Sequence, residues 1–490
     1  MPSSPVLNPG LPIGFDEKGR QLFYRGVSHL LQVAPPRSGK ARDILIPILL
    51  YLGLLCRLWK VGDAAIRSLL VIDPKGQLLS VCGPHLARAG YQLQILNPFK
   101  ILPSVLAPGT RHFKGLDDRV NFFAKFNPML ALDPQSASFH ADLRNLGDAC
   151  FDGHSRQGWG ETHWIEGGQD LFSGAVGSLI VNEADETLRN LPAVRRVLKS
   201  PRLLRRCAYF AQMEHGGQDE SIASALEAFA KKDAENKNEL ASLRSTAGVQ
   251  TQFLNVRAVA ECLKGSDFKW PIMRRRPTAV FVVLPVKYLR SCARFFRLMF
   301  ADCLNALLGD EKGLPVLCIA DEFAQLGKLD LISDILALGA GLNIQLMPVL
   351  QDLNQLKNLY REGWESFPAS AGVQMYFAAR DYTTSEEISK LCGDTTVEVP
   401  SESAGSSKDV FGIRTGSQEG TAINRTQRRA RLPQEIRQMP DNRFILFTDT
   451  MPGRFIEAYR RPYWEIDTYR GLYSPDPYHS SSAGGDEDAV

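Results

Sequence analysis

Val33-Ala34-Pro35-Pro36-Arg37-Ser38-Gly39-Lys40-Ala41 is the stretch that decides the fold. It follows a short apolar run, Leu30–Val33, and precedes the apolar run Ile44–Leu55. These runs predict a strand that enters a tight loop and a helix that leaves it. A strand, a Gly-Lys loop and a helix are typical of a phosphate-binding loop. In such a loop, backbone N–H groups and the helix N-terminus surround the phosphates while the lysine reaches the β and γ oxygens. The predicted nucleotide-binding residues are Ala34, Pro35, Pro36, Arg37, Ser38, Gly39, Lys40 and Ala41.

The stretch departs from the pattern G-x-x-x-x-G-K-[ST] at two positions. Ala34 stands where the first glycine is expected, and Ala41 replaces the hydroxyl that would bind Mg²⁺. Water can replace that hydroxyl, because Mg²⁺ keeps several waters in such sites. Pro36 also removes one backbone N–H from the loop. Taken alone, the stretch fits both a phosphate-binding loop and a chance Ser-Gly-Lys.

A second apolar run ends in two carboxylates. Val316–Ala320 predicts a buried strand, and Asp321 and Glu322 follow it. The carboxyl end of such a strand is where α/β sheets place their ligands. In phosphoryl-transfer sites an aspartate at this position holds Mg²⁺ and a glutamate polarises the attacking water. The alternative is a strand end followed by a helix N-cap, which aspartate also favours.

A third buried run, Ile344–Leu350, delivers Gln351 at its end. Placed beside the strand that carries Asp321, Gln351 would sense the γ-phosphate or the attacking water. The alternative is a solvated amide at the start of the helix predicted over Leu353–Tyr360. The three stretches together predict a nucleotide site. Its catalytic residues would be Lys40, Glu322 and Gln351, and its metal ligand would be Asp321.

Length and composition set limits on the class of protein. The chain has 490 residues, 44% hydrophobic and 23% charged, with a net charge of +3. Its charge is nearly neutral, so any nucleic-acid contact must come from local basic patches. The nine cysteines show no C-x-x-C spacing and lie mostly among apolar residues, which predicts reduced core thiols. The sequence shows no signal peptide, and the apolar run Ile44–Cys56 is too short for a membrane span.

The order of apolar runs predicts a doubly wound α/β domain with a parallel-rich sheet. We expect an N-terminal segment over residues 1–29, the α/β domain over 30–139 and 266–472, an inserted all-α domain over 140–265, and a disordered acidic tail over 473–490. Ser401–Gly420 is rich in glycine and serine, which predicts a mobile loop or the tip of a long hairpin. Helices are predicted in the inserted domain at Gln169–Val181, Ala193–Leu198, Leu203–Phe210, Ile222–Phe229 and Leu240–Leu254. Further strands are predicted at Ser68–Ile72, Tyr91–Leu96, Ala279–Leu284, Val373–Ala378 and Phe444–Asp449.

The motifs, in their order along nearly the whole chain, resemble those of a known family. They are Ala34-Pro35-Pro36-Arg37-Ser38-Gly39-Lys40, Val71-Ile72-Asp73-Pro74-Lys75-Gly76, Asn97-Pro98, Asp321-Glu322-Phe323, Leu326-Gly327-Lys328-Leu329, Gln351-Asp352-Leu353-Asn354-Gln355-Leu356 and Leu432-Pro433-Gln434-Glu435-Ile436. The chain resembles the conjugative DNA-transfer coupling proteins of type IV secretion systems, the TraG-like class. Members often carry Ala-Pro-Thr-Arg-Ser-Gly-Lys-Gly at the loop, so Ala34 fits the family pattern. Pro36 and Ala41 depart from it.

The resemblance implies a RecA-like P-loop NTPase domain with an inserted all-α domain, assembled as a homo-hexamer that uses ATP and Mg²⁺. It implies that ATP hydrolysis drives recruitment and passage of a nucleoprotein substrate, single-stranded DNA bound to a relaxase, to the secretion channel. Family members usually have N-terminal membrane helices, which this sequence lacks. The chain could be part of a longer protein, a soluble member of the family, or a protein whose membrane anchor a partner supplies. We expect membrane-associated partners and a location in the cytoplasm, at the cytoplasmic face of the bacterial inner membrane.

Two other functions stay open. The chain could be a nucleotide-binding receptor with a weakened or vestigial ATPase site, docking cargo through its all-α domain. It could also be a viral- or chromosome-type DNA pump, although the Asp-Pro-Lys-Gly and Leu-Gly-Lys-Leu stretches argue against that. Predicted DNA contacts, beside the Ser401–Gly420 stretch, are Arg425, Arg428, Arg429 and Arg431. Candidates for an arginine finger are Arg37, Arg380 and Arg443.

Overall fold

A computed structural model describes residues 7–58, 65–100, 111–116, 118–151, 159–182, 185–205, 207, 237–309, 312–408 and 414–478. The described strands form one twelve-stranded sheet and a separate two-stranded hairpin. The strand order of the large sheet is β2-β1-β14-β13-β10-β3-β9-β8-β4-β7-β5-β6. The strands are β1 (Leu11–Phe15), β2 (Gln21–Tyr24), β3 (His29–Val33), β4 (Ser68–Ile72), β5 (Gln92–Leu96), β6 (Val120–Asn121), β7 (Thr278–Val282), β8 (Val316–Asp321), β9 (Ile344–Leu350), β10 (Ala371–Tyr376), β11 (Asp394–Lys408), β12 (Arg414–Arg429), β13 (Arg443–Thr448) and β14 (Phe455–Tyr459).

The eight strands from β10 to β6 pair in parallel, and β13, β14, β1 and β2 extend the sheet as an antiparallel ribbon. Parallel strands need covered faces, and helices supply the cover here. The α-helices are Ile46–Arg57, Gln77–Ala89, Phe139–Cys150, Trp159–Asn182, Leu191–Lys199, Lys237–Gln250, Arg257–Cys262, Ile272–Arg275, Leu289–Leu307, Leu331–Leu338, Leu353–Tyr360, Ser366–Ser370, Tyr382–Leu391 and Pro433–Arg437.

Two hydrophobic cores lie on opposite faces of the sheet. Along β8, Cys318 belongs to one core and its neighbours Leu317 and Ile319 belong to the other. This alternation is what a strand buried on both faces requires. The first core continues into the helices between residues 139 and 262, and the second holds the helix Ile46–Arg57. The parallel part of the sheet is therefore buried on both faces.

The predicted α/β class is confirmed, and each predicted strand overlaps an observed one. In the helical region three predicted helices overlap Trp159–Asn182, Leu191–Lys199 and Lys237–Gln250. The helix predicted over Ile222–Phe229 and half of that predicted over Leu203–Phe210 lie outside the described residues. The division into domains stays a prediction.

Two predictions about irregular segments have different outcomes. The Ser401–Gly420 stretch belongs to the antiparallel hairpin β11–β12, apart from residues 409–413, which lie outside the described part of the chain. The tail prediction is wrong at its start, because Ser474 donates its backbone N–H to Val81 and Asp476 accepts a 2.9 Å hydrogen bond from Gln77. Residues 479–490 lie outside the described structure.

Among the described helices, none combines the length and the apolar character needed to cross a bilayer.

Candidate nucleotide site

The ends of three neighbouring strands form the site. β3 pairs with β9, and β9 pairs with β8, all in parallel, so their carboxyl ends meet at one edge. The loop that begins at Ala34 follows β3, Gln351 follows β9, and Asp321 ends β8. The Ala34 N–H donates to the Leu350 carbonyl over 2.8 Å, which fixes the start of the loop against β9. The three predicted stretches are thus brought to one place.

The first half of the loop is a tight turn. The Ser38 N–H donates to the Pro35 carbonyl over 3.2 Å, with Pro36 and Arg37 between them. Arg37 has a φ of 60°. Proline at the second position and a positive φ at the third are the pattern of a type II turn. Pro36 therefore has a structural reason: its ring presets the backbone of the turn, and its missing N–H lies outside the turn's hydrogen bond.

The second half of the loop leads into a helix. Gly39 has a φ of 85°, and a Cβ there would lie 2.7 Å from the Asp43 carboxylate, so the position requires glycine. After Lys40 the chain makes a π-helical turn, Ala41–Leu45, before the α-helix Ile46–Arg57 begins. Single π-turns inside helices often occur at functional sites.

Lys40 lies between two carboxylates. Its Nζ is 2.8 Å from Asp321 Oδ1 and 3.0 Å from Glu322 Oε1. Lys40 is only 9% exposed and Asp321 only 5%. Burial lowers the pKa of Lys40, but the charges of Asp321 and Glu322 outweigh it and the pKa is raised. The lysine is therefore a buried cation held at the strand ends.

Glu322 is held by two other residues that the sequence predicts for the same site. Its second oxygen accepts a 2.8 Å hydrogen bond from Gln351 Nε2, while Lys40 contacts the first. Burial raises the pKa of Glu322, but Lys40 and Gln351 reverse the effect and hold the pKa below its ordinary value. Glu322 also has a φ of 72°, a backbone conformation that functional residues often adopt. A charged, oriented carboxylate of this kind can accept a proton from water.

Arg460 and Asp43 complete the support of the loop, and sequence reasoning missed both. Arg460, just after β14, donates to the Ser38 carbonyl and lies 2.8 Å from Asp43 Oδ2. Arg42 contacts the same carboxylate, and the Arg460 guanidinium lies 4.3 Å from the centre of the Phe377 ring. The Arg460 side chain is 4% exposed. No local pattern could reveal it, because its partners precede it by more than 400 residues.

Asp73 is a further buried carboxyl close to the site. It follows β4, which pairs with β8, and it accepts hydrogen bonds from the N–H groups of Gln77 and Leu79. Burial raises the pKa of Asp73 to about 7, against the lowering effect of those N–H groups, and the Asp321 charge adds to the rise. Its neighbour Lys75 is exposed and lowers the pKa of Glu322.

The residues present fit a nucleotide with its metal. The Ser38 hydroxyl is buried without a hydrogen-bond partner among the described residues, inside a loop that ends at a helix N-terminus. Lys40 supplies a cation at the strand ends, and Asp321 an oxygen ligand of the type that Mg²⁺ prefers. Ala41 supplies no hydroxyl, so a metal here would take water at that position.

Three of the arginines predicted to contact DNA are paired with carboxylates. Arg428 lies 2.8 Å from Glu435, Arg429 lies 2.7 Å from Glu386, and Arg431 contacts Glu457. A phosphate would have to displace these glutamates, so DNA contact there stays a prediction. The Arg425 side chain lies outside the described part of the structure.

The three candidates for an arginine finger differ in exposure. Arg37 and Arg380 are exposed, and Arg380 follows β10, next to the loop strand. Arg443 is half-buried and lies 3.6 Å from Glu457. The exposed pair is better placed to meet another molecule than Arg443 is, and the role itself stays a prediction.

A family comparison decides what kind of protein carries this site. The family described as "Type IV secretory system Conjugative DNA transfer" matches residues 117–469, more than half of the chain. The chain belongs to this family. The matched range contains Asp321, Glu322 and Gln351, and the loop at Lys40 precedes it.

The family's curated proteins are longer than this chain. It is 23% identical to the conjugal transfer protein TraG of Agrobacterium fabrum, over 94% of this chain and 64% of TraG. It is 25% identical to protein VirD4 of the same organism, over 86% of this chain and 57% of VirD4. The chain thus spans roughly three fifths of the length of these relatives.

Solved structures share the fold. The unbound bacterial conjugative coupling protein TrwBdeltaN70 superposes with a TM-score of 0.61 at 16% identity, covering 93% of this chain and 88% of that one. The plasmid coupling protein TrwB in complex with ADP and Mg²⁺ gives a TM-score of 0.59, also at 16% identity, covering 92% and 88%. The predicted RecA-like P-loop NTPase fold is confirmed.

Proposed function

We propose that this chain is the coupling ATPase of a conjugative type IV secretion system. It binds ATP with Mg²⁺ and hydrolyses it to recruit and translocate single-stranded DNA with its bound relaxase. The observation that carries the proposal is the convergence of Lys40, Asp321, Glu322 and Gln351 at three adjacent strand ends. Family membership supports the transfer role, and the TrwB complexes with ADP and Mg²⁺ and with an ATP analogue support the ligands.

Each residue would have one task. Lys40 would leave the carboxylates for the β and γ phosphates, and Asp321 would then hold Mg²⁺, which neutralises charge on the transferred group. Glu322, oriented by Gln351, would accept the proton of the attacking water, and Ser38 would donate to a phosphate oxygen. The loop turn and Arg460 would keep the N–H groups aimed at the phosphates.

We also propose that the working assembly is a ring of identical subunits, a homo-hexamer at the cytoplasmic face of the inner membrane. Exposed Arg380 stands beside the strand that carries the loop, where a neighbouring subunit's nucleotide could meet it. The relaxase and the channel components would be the partners, and the helices between residues 139 and 262 would form the cargo-docking surface.

One observation favours the second candidate, a substrate receptor with a vestigial nucleotide site. Ala41 removes a direct metal ligand from the loop. We still favour the motor, because the lysine, both carboxylates and the glutamine are present and in mutual contact.

Plasmid transfer in cells that lack the native copy separates the two. We expect Lys40→Ala and Glu322→Gln to abolish transfer, whereas the exposed control Glu362→Gln, which lies outside the site and outside the proposed docking surface, supports it at the wild-type frequency. Immunoblotting would show that all variants accumulate equally. Normal transfer by Lys40→Ala and by Glu322→Gln would refute the motor and leave the receptor.

A further inference from the structure

A large cavity adjoins the turn that follows Glu322. It is a groove of about 1130 Å³ between the helices Trp159–Asn182, Lys237–Gln250 and Leu289–Leu307. The turn Ala324–Gly327 forms part of its lining. We call this cavity the arginine groove.

The charged residues among the described lining of the groove are all arginines. Arg290, Arg294 and Arg297 line it, and none of its described lining residues is an aspartate or a glutamate. Because the net charge of the whole chain is only +3, the positive charge of the groove is a local feature and not a consequence of overall composition. Such a lining favours an anionic ligand.

The other lining groups narrow the class of anion. The half-buried indole of Trp164 lines the groove beside hydroxyls such as that of Thr246. Aromatic rings on which bases stack, next to cations that contact phosphates, are the common means of binding single-stranded nucleic acid. Hydroxyl groups add hydrogen bonds to phosphate oxygens. An acidic peptide would use the arginines but would gain less from the indole.

Arg297 links the groove to the nucleotide site. Its guanidinium is buried and donates to the carbonyls of Leu326 and Lys328 on one side, and of Asp148 and Phe151 on the other. The turn it holds begins at Glu322, whose carbonyl accepts from the Gln325 N–H over 2.9 Å. A ligand that contacts Ala324–Gly327 therefore acts on the segment that orients Glu322.

We propose that the arginine groove binds a short segment of single-stranded nucleic acid, with Arg290 and Arg294 on phosphates and Trp164 against a base. A nucleic acid bound in the groove would then affect the orientation of Glu322 through the turn that includes Ala324–Gly327. The idea extends the proposed function, since it names where that function's nucleic-acid substrate contacts the chain.

Fluorescence anisotropy with a labelled oligo-dT of about 20 nucleotides, without ATP, tests the site. Arg290 is exposed in the first turn of its helix. We expect Arg290→Glu to weaken binding about tenfold at moderate salt and to lower the slope of log affinity against log salt by about 0.7. The control Arg454→Glu, also an exposed arginine but outside the groove and outside the proposed docking surface, should bind as the wild type does.

Trp164 gives an independent readout. Oligo-dT should quench part of the tryptophan fluorescence of the wild type. In Trp164→Phe this quenching should disappear, while most of the affinity for oligo-dT is kept. Wild-type affinity in Arg290→Glu, or no binding of oligo-dT by the wild type, would overturn the proposal. If oligo-glutamate bound more tightly than oligo-dT, and if that binding depended on Arg290, the proposal would be overturned and the ligand would be an acidic protein segment.

The outcome is separable from that of the ATPase, because the assay contains no nucleotide. Arg290-dependent binding of oligo-dT by a chain that does not hydrolyse ATP would refute the motor and keep the groove. ATP hydrolysis by a chain whose DNA binding ignores Arg290 would refute the groove and keep the motor.

Discussion

At the scale of single residues, Arg37 occupies a position that favours glycine. Its φ of 60° costs about 1–2 kcal/mol relative to glycine, and glycine loses about 0.5–1 kcal/mol more chain entropy on folding. We therefore expect Arg37→Gly to raise the free energy of unfolding by about 0.5 kcal/mol or more in urea titration. Arg37→Ala keeps the Cβ and should not gain stability. An equal gain in both variants would contradict the strain at Arg37.

The same pair of variants tests Arg37 as an arginine finger. If Arg37 contacts a neighbouring subunit's nucleotide, both variants should hydrolyse ATP more slowly, although only Arg37→Gly gains stability. If both keep the wild-type rate, the role passes to Arg380, which is also exposed.

Asp73 predicts a pH dependence of stability. Its pKa is raised to about 7 from an ordinary value near 3.8, so between these values the folded chain keeps a proton that the unfolded chain has lost. Stability must then fall as the pH rises through that window, and the cost is complete above the folded pKa. We expect the Tm of the wild type, minus that of Asp73→Asn, to decrease from about pH 5 to about pH 8. A constant difference would contradict the raised pKa.

At the scale of elements, the antiparallel ribbon supports the phosphate loop. Arg460 lies at the end of β14 and holds both Ser38 and Asp43. Arg460→Met removes charge-assisted hydrogen bonds, so we expect a loss of about 2 kcal/mol in the free energy of unfolding and weaker binding of MgATP. Urea titration and calorimetry measure the two effects.

The adjacent Arg461 provides the control. It is exposed and lies over Phe15, away from the loop carbonyl, so Arg461→Met should change neither quantity by more than a fraction of that amount. If Arg460→Met bound MgATP as tightly as the wild type, the ribbon would have no part in holding the loop.

Elements with strong apolar runs could be predicted from the sequence. β3, β8 and β9 are buried, mostly apolar segments, and their parallel pairing brings the predicted polar residues at their ends to one edge of the sheet. The role of Pro36 could not be predicted, because the turn depends on the positive φ of Arg37, and arginine at that position does not signal one.

Other features depend on contacts that no local pattern encodes. Arg460 contacts its loop partners only because the strand order β14-β13-β10-β3 brings the end of β14 close to the loop that follows β3. The start of the predicted tail is polar and contains two prolines, yet Asp476 accepts a hydrogen bond from Gln77 and is buried. The glycine-rich sequence of Ser401–Gly420 is compatible with a loop and with a hairpin. Antiparallel backbone pairing between β11 and β12 forms the hairpin.

At the scale of the whole molecule, one sheet connects the two functions we propose. The nucleotide residues lie at the carboxyl ends of β3, β8 and β9, and the arginine groove lies beyond the turn that follows β8. Arg297 ties that turn to the helix Phe139–Cys150. Nucleotide and nucleic acid would therefore act on the same short segment, Glu322–Gly327.

Phosphate release from MgATP by the purified chain, measured beside Glu322→Gln over a range of protein concentrations, tests the central claim most directly. Because a ring would complete the site between subunits, we expect the wild-type rate per chain to rise with assembly. Glu322→Gln should bind MgATP but release phosphate about 10²-fold or more slowly. The account would be contradicted if both proteins bound MgATP and the wild type released phosphate no faster than Glu322→Gln at any concentration.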